Sequence, residues 1–332
     1  MDAATWVETE LEPRDCASTA FIYDHMDSQS GRSLPGIYQP FDPAQRAHWY
    51  DAGSTLDFMH AAGVAGARML DLGPGDGWPS LPLAPAAAEV VGVDGSERRV
   101  AVCRENARRL GIANAEFVHV PPGERLPFPN ASFDGVVAAS SLEQTPDPRA
   151  TVRELARVLR PGGRLRIHYE ALSAYRGGRE REAELWGMTG GAMLMLYQRD
   201  AALEQAVQYG LVLDLEPSAA GEILGQWPVQ YARLDEEAME RLRPHVTEAR
   251  RCRLSHPSAL SLSRWLRGSG FLDVRATHDG GRFAGRMFDL TPAERRPADR
   301  VGVVELLEAP VRCAVEMAAP LECDPPITAI RG

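Results

Sequence analysis

The sequence predicts an α/β protein centred on one doubly wound sheet of parallel strands, with helices covering both faces. Three observations carry this expectation. Short apolar strands alternate with helical segments between residues 68 and 169. The first of these strands runs directly into a glycine-rich turn. The pieces also recur at the spacing of βαβ units, whose right-handed crossovers build a single sheet.

In chain order, residues 68–72 form a short apolar strand closed by glycine. A Pro-rich turn and a short helix lead to a second strand at 89–93. Residues 96–110 place apolar side chains at helical spacing, and Gly111 stops that helix. A third strand is expected at 116–120 and a fourth at 133–138. A helix at 149–159 follows a Pro-Asp-Pro entry, and Pro161-Gly162-Gly163 then turns into a fifth strand at 164–169. Beyond Glu170 the pattern loosens. Residues 175–191 are rich in glycine and charge, 200–209 are expected to be helical, and 211–215 to form an extra strand. The core pattern returns with a helix at 261–267, stopped by Gly270, and a sixth strand at 271–278. An amphipathic run at 301–317 belongs to a second insertion, and 327–331 reads as the last strand. Four segments are therefore expected: an N-terminal helical cap (1–66), a ligand-binding core (67–172), an insertion or lid over the acceptor site (173–257) and a C-terminal part of the core sheet with a helical insertion (258–332).

Composition narrows the function classes. A hydrophobic share of 44% over 332 residues is ample for a sizeable core. The net charge of −10 offers no bulk positive field, so nucleic acid is not expected as a partner. All 36 basic residues are Arg, which excludes a lysine Schiff base. Cys16, Cys103, Cys252, Cys313 and Cys323 are scattered without a CxxC pair, arguing against a disulfide framework or structural zinc. No metal is expected. The acidic N-terminus and the lack of any membrane-length apolar run lead to the expectation of a cytoplasmic protein without membrane insertion, monomeric or homodimeric.

The chemistry starts at the glycine turn. Gly73, Gly75 and Gly77 alternate between a strand and a helix, where glycine lets a ligand approach the backbone and its N–H groups. A dinucleotide fingerprint would need G-x-G-x-x-G, but Trp78 holds the last position. The motif is instead D-x-G-x-G-x-G from Asp71. Asp71 and Asp76 make the loop acidic, which suits an ammonium and a sulfonium better than a pyrophosphate. Asp94 ends the second strand 21 residues after Gly73, the position from which a carboxylate binds two ribose hydroxyls.

Four segments then resemble the class I S-adenosylmethionine-dependent methyltransferases, in the quinone-biosynthesis-like, type 11 subgroup: LDLGPGDG (70–77), VVGVDGS (90–96), ERLPFPNASFDGVVAASSLEQTPDP (124–148) and RVLRPGGRLRI (157–167). They cover about a third of the chain. The resemblance implies a Rossmann-like, seven-stranded sheet, mostly parallel with an antiparallel last strand. It implies S-adenosylmethionine as cofactor and S-adenosylhomocysteine as product. It also puts Gly73, Pro74, Gly75 and Gly77 around the methionine moiety, Asp71 near its ammonium and Asp94 on the ribose. Two departures stand out. Pro122 occupies a position where the family often has an adenine-binding Asp, leaving adenine to backbone groups around Gly123 and Glu124, with Gly95 and Ser96 nearby. Glu143-Gln144 replaces a common Glu-His, so a mechanism using that histidine as base does not apply.

Ligands of an open α/β sheet lie beyond the carboxyl ends of its strands. Ser140 and Ser141 follow the fourth strand and are placed near the transferred methyl, Ser140 toward the cofactor and catalysis and Ser141 toward the acceptor. Glu143 is expected to hold the loop. His168, Tyr169 and Glu170 end the fifth strand. Strand alternation sends neighbours to opposite faces, so not all three point inward. His168 is the candidate base, and Tyr169 a candidate for contacting the acceptor. Before the core, Tyr23 and Tyr38 are expected in loops, Tyr23 as a catalytic candidate and Tyr38 as an acceptor contact, with rings that exclude water and face the sulfonium.

Methyl transfer is an in-line displacement, so the protein's tasks are alignment, desolvation and proton removal from a poor nucleophile. The expected function is methylation of a small organic acceptor. The alternatives are a non-catalytic cofactor-binding or scaffold protein of the same fold, or an enzyme of that fold performing a cyclisation or an aminopropyl transfer.

Overall fold

The computed structural model describes residues 1–25, 38, 40–170, 175, 177–188, 190–226 and 229–332. The chain forms two compact units. One comprises 1–30, 143–148 and 170–257, and the other 31–142, 149–169 and 258–332. This partition differs from the four expected segments. Residues 1–30 do not belong with 31–66, because Ala3, Trp6 and Val7 are buried in one cluster with Leu194, Leu211 and Tyr231. The expected boundary at 172–173 lies outside the described residues.

Among the described residues the larger unit contains seven strands: β1 (Arg68–Leu72), β2 (Glu89–Asp94), β3 (Ala115–His119), β4 (Phe133–Ala139), β5 (Leu159–His168), β6 (Phe271–Ala276) and β7 (Ile327–Arg331). Their order is β6-β7-β5-β4-β1-β2-β3. All neighbours are parallel except β7, which runs antiparallel to both β5 and β6. The connections run outward in opposite senses from β1 and β4, the switch point where such a sheet leaves a crevice. β5 begins at Leu159 rather than at 164 and absorbs the Pro-Gly-Gly turn through a register shift opposite β4.

Both faces of this sheet are covered, which is why β1 and β2 read as nearly unbroken apolar runs. Leu70, Val91, Val136 and Leu165 belong to one buried cluster, while Met69, Val90 and Val137 belong to another with Phe58 and Leu83. The helices are α1 (Arg46–Ala61), α2 (Ser80–Leu83), α3 (Glu97–Leu110), α4 (Pro148–Val158), α5 (Ala259–Gly268), α6 (Gly280–Leu290) and α7 (Arg300–Glu316). Ser96 caps α3 by accepting from the Arg99 amide at 3.1 Å, and Gly111 closes it in the left-handed region. α6 and α7 both bury apolar side chains against α1, through Ala284, Val303 and Leu307 with Trp49 and Leu56.

The smaller unit is built on five strands, in the order 14–16, 246–255, 205–213, 191–200, 181–188. They are antiparallel except for the pair 14–16 and 246–255. The expected helix over 200–209 is therefore corrected. Asp200 Oδ1 accepts from the amides of Ala202 and Leu203, making a turn, and Gln205–Leu213 continues as a strand. Pairing on both sides outweighs the local helical preference of its Ala, Leu and Glu. No helix of the described residues is long and apolar enough to cross a membrane.

Candidate functional site

The glycine turn closes onto the end of β2. Gly73 N donates to the Val93 carbonyl at 2.8 Å, and Gly77 N to the Pro74 carbonyl at 2.8 Å. Gly73 has φ +70° and lies so close to Ser141 that a Cβ on it would stand 2.5 Å from the serine Cβ. Glycine is required there by conformation and by space. Gly75, at φ +59°, meets nothing within 4 Å on the side where a Cβ would point. Its N–H donates to Asp94 Oδ2 at 3.2 Å, and Asp94 Oδ1 accepts from Ser96 N at 2.9 Å. The tip of the glycine turn and the acid ending β2 are thus in contact. Pro74 is buried beneath the turn, beside Gly92.

Several polar groups around this turn have no partner among the described residues. Asp71 is fully buried; its Oδ2 accepts from Ser80 N at 3.1 Å and from Ser80 Oγ at 2.6 Å, while Oδ1 has no partner among the described residues. The same holds for the Tyr38 hydroxyl and for Trp78 Nε1. Tyr38 Oη lies 3.4 Å from where a Cβ on Gly77 would be. Leaving a buried polar atom unbonded costs about 1–3 kcal/mol, so three of them at one turn suit a polar ligand. Burial pushes the Asp71 carboxyl up to about 7 against the pull of the Ser80 hydrogen bonds, and the nearby charges of Asp94 and Asp76 add to the rise. Burial likewise raises the Tyr38 phenol, followed by the Asp76 charge.

The ends of β4 and β5 carry the other candidates. Ser140 is exposed and sits at φ +53°, a strained position for a residue with a side chain, and its N–H donates to the His168 carbonyl at 2.8 Å. Ser141 Oγ donates to the Leu72 carbonyl, so this hydroxyl braces the glycine turn. Tyr169 is buried in the core cluster, and its hydroxyl donates to the Pro325 carbonyl at 3.0 Å. Alternation sends His168 to the opposite side. The Gly95 carbonyl accepts from His119 Nε2 at 3.2 Å. Gly123 and Glu124 form an exposed turn, with Glu124 N donating to the Pro121 carbonyl at 3.0 Å.

A group absent from the sequence expectations stands behind His168. Asp57 of α1 is fully buried and forms a two-pronged pair with Arg166 of β5, Nε to Oδ1 at 2.7 Å and Nη2 to Oδ2 at 2.6 Å. It also accepts from His168 Nε2 at 2.9 Å and from Gly280 N at 2.8 Å. Burial works to raise the Asp57 carboxyl, but the Arg166 guanidinium and His168 outweigh it and hold it well below the usual carboxylate range. The sequence signals that Arg166 and Asp57 each need a partner, without saying which partner each meets. Arg166, set between Leu165 and Ile167 on a buried strand, needs an anion, and Asp57 interrupts the apolar stretch between Leu56 and Phe58.

In the smaller unit, Tyr23 lies in a helix (Ala20–His25) rather than a loop, and its hydroxyl donates to Gln144 Oε1 at 3.2 Å. Thr19 Oγ1 donates to the same oxygen at 2.8 Å. Gln144 is thus a hydrogen-bonding anchor for Thr19 and Tyr23. Glu143 holds its loop, accepting from Glu170 N at 2.8 Å, and burial pushes its carboxyl up to about 7. Elsewhere in the larger unit a cavity of about 250 Å³ is lined by Tyr38, Phe41, His48, Asp51, Leu81 and others. No residue of the glycine turn lines it. Among the described residues no group of three or more His, Cys, Asp or Glu is placed to hold a metal ion.

Comparisons with known proteins bear on these features. The family described as "Methyltransferase domain" matches residues 70–167. The 27-O-demethylrifamycin SV methyltransferase of Amycolatopsis mediterranei is 32% identical over 53% of this chain and 67% of its own length. The demethylmenaquinone methyltransferase of Clavibacter sepedonicus is 44% identical, over 32% of this chain and 42% of that enzyme. The CcbJ methyltransferase of Streptomyces caelestis aligns in structure over 96% of this chain and 99% of its own, with a TM-score of 0.52 and 16% identity, a likeness of fold alone.

Proposed function

We propose that this chain, which belongs to the class I S-adenosylmethionine-dependent methyltransferases, methylates a small organic acceptor. The observation that carries the reading is the contact between Gly75 and Asp94 at a turn surrounded by unbonded buried polar atoms. The residues present fit the cofactor. Asp94 has the position to receive the ribose hydroxyls, and the open side of Gly75 admits a ligand against the backbone. Asp71 Oδ1 and the Tyr38 hydroxyl offer polar contacts for the amino-acid end. The backbone around Gly123 and Glu124 would receive the adenine.

Bound S-adenosylmethionine supplies an activated methyl group, with S-adenosylhomocysteine as product. The chain itself orients, excludes water and accepts a proton. By their names, relatives such as the rifamycin and ubiquinone O-methyltransferases act on small molecules, which supports a small acceptor here. The smaller unit is the part least like a shared core, and we assign it the choice of acceptor.

Calorimetry with S-adenosylmethionine and S-adenosylhomocysteine tests the reading, with micromolar binding of at least one expected. Binding of neither would sink it. Asp94→Ala is expected to weaken binding at least about tenfold, by loss of hydrogen bonds to a charged group; unchanged affinity would remove the ribose role.

A further inference from the structure

Asp57 receives four hydrogen bonds, from Arg166 Nε, Arg166 Nη2, His168 Nε2 and Gly280 N. A carboxylate has about four acceptor sites, so this one is saturated. Taking a proton from His168 would cost it a guanidinium or amide partner, and Asp57 therefore stays ionised. An ionised carboxylate only accepts, which means His168 Nε2 carries the hydrogen of their shared bond. The tautomer of the imidazole is thereby set from the buried side, and Nδ1 is the nitrogen left to receive a proton.

The ring is also held in place. Phe58 stacks on His168 with centroids 4.6 Å apart, and Trp78, the residue after Gly77, meets Phe58 edge-on at 5.6 Å. The His168 carbonyl accepts from Ser140 N. Side-chain exposure is zero for Asp57 and Arg166 and 13% for His168. The imidazole is therefore the only one of these three side chains that reaches the surface, at the carboxyl end of β5, connected ring to ring with the glycine turn.

Resting on the methyl-transfer reading and deepening it, we infer that His168 is the general base for a hydroxyl acceptor, with Asp57 the positioning residue behind it. A neutral alcohol is a poor nucleophile that gains strength by losing its proton, whereas a neutral amine already presents its lone pair. The acceptor oxygen bonds to the methyl carbon as the carbon–sulfur bond breaks, and that bonding pair stays on sulfur. The hydroxyl proton passes to His168 Nδ1. One cation, the sulfonium, is consumed and another, the imidazolium beside Asp57, is formed.

Replacing Asp57 disturbs a buried ion pair, so the test uses His168→Gln at the partly exposed end. Initial rates of methyl transfer are measured for the full chain on monohydroxy compounds graded from aliphatic alcohols to nitrophenols. The variant is expected to lose about 10²-fold or more on weakly acidic hydroxyls and little on phenols already ionised in buffer, with partial rescue by added imidazole. An equal loss across the series overturns the proposal, as does the absence of transfer to any hydroxyl by the unaltered chain. A second readout needs no turnover. In ¹⁵N-histidine-labelled protein the resonance missing from His168→Gln is expected in the Nε2–H form, and an Nδ1–H form overturns the proposal. Calorimetry with the cofactor on the same preparation separates these failures from failure of the methyl-transfer reading, which cofactor binding would leave standing.

Discussion

At the scale of single residues, Asp71 is a different group on the two sides of neutrality. Its carboxyl, pushed up to about 7, is mostly protonated at pH 6 and mostly ionised at pH 8. Only the ionised form attracts an ammonium, so cofactor affinity is expected to rise between these pH values, and Asp71→Asn should flatten the dependence. Calorimetry at pH 6 and 8 checks both. Gly73→Ala is expected to abolish binding, because the new methyl meets Ser141 at 2.5 Å in a left-handed backbone. Asp57→Asn should cost roughly 3 kcal/mol or more in denaturant unfolding, since it leaves the Arg166 charge buried without its anion. Asp71, Gly73, Gly75 and Asp94 were legible because one short stretch and one strand end carry them. Asp57 was not: its partners lie 109 and 111 positions away, and periodicity says nothing about which buried Arg meets which acid.

Among the elements, β7 is the last strand in sequence but an interior strand of the sheet, with Ile327 and Ala329 essentially inaccessible. Removing 327–332 would separate β6 from β5 and leave two unpaired edges. The truncated chain is expected to lose cooperative thermal unfolding and to aggregate, as light scattering during a melt would reveal. An intact transition would mean that β6 finds another partner. The terminal ITAIR reads correctly as a strand because its apolar residues are bounded on both sides. The strands at 191–200 and 205–213 were harder. The first is buried at nearly every position, so it lacks a period of two, and the second follows residues that favour a helix. Their identity comes from each other, through antiparallel pairing from Ala192–Leu213 to Asp200–Gln205.

For the whole molecule, two buried carboxyls act in the same direction. Asp71 and Glu143 both rise to about 7 from ordinary values of 3.8 and 4.5. The folded chain thus holds protons that the unfolded chain releases near pH 4. Their contribution to stability is largest below that range, declines as pH rises to about 7, and is constant above it. Denaturant unfolding of the ligand-free protein is expected to show this fall between pH 4.5 and 7, smaller in Asp71→Asn; a stability that climbs steadily through the same range would contradict it. The doubly wound core was visible in the sequence because each βαβ unit is local. The second unit was not, being assembled from residues 1–30, 143–148 and 170–257.

That three-part assembly constrains how such a protein can diverge. The chain passes from one unit to the other five times. An exchange of 170–257 between relatives would import the four long strands but leave behind Trp6, whose indole donates to Glu240, and Tyr23 and Thr19, which converge on Gln144. A single crossover therefore cannot transplant the unit intact. Its inheritance is tied to that of the core, and new specificities are expected to arise by accumulated point changes rather than by shuffling of a module.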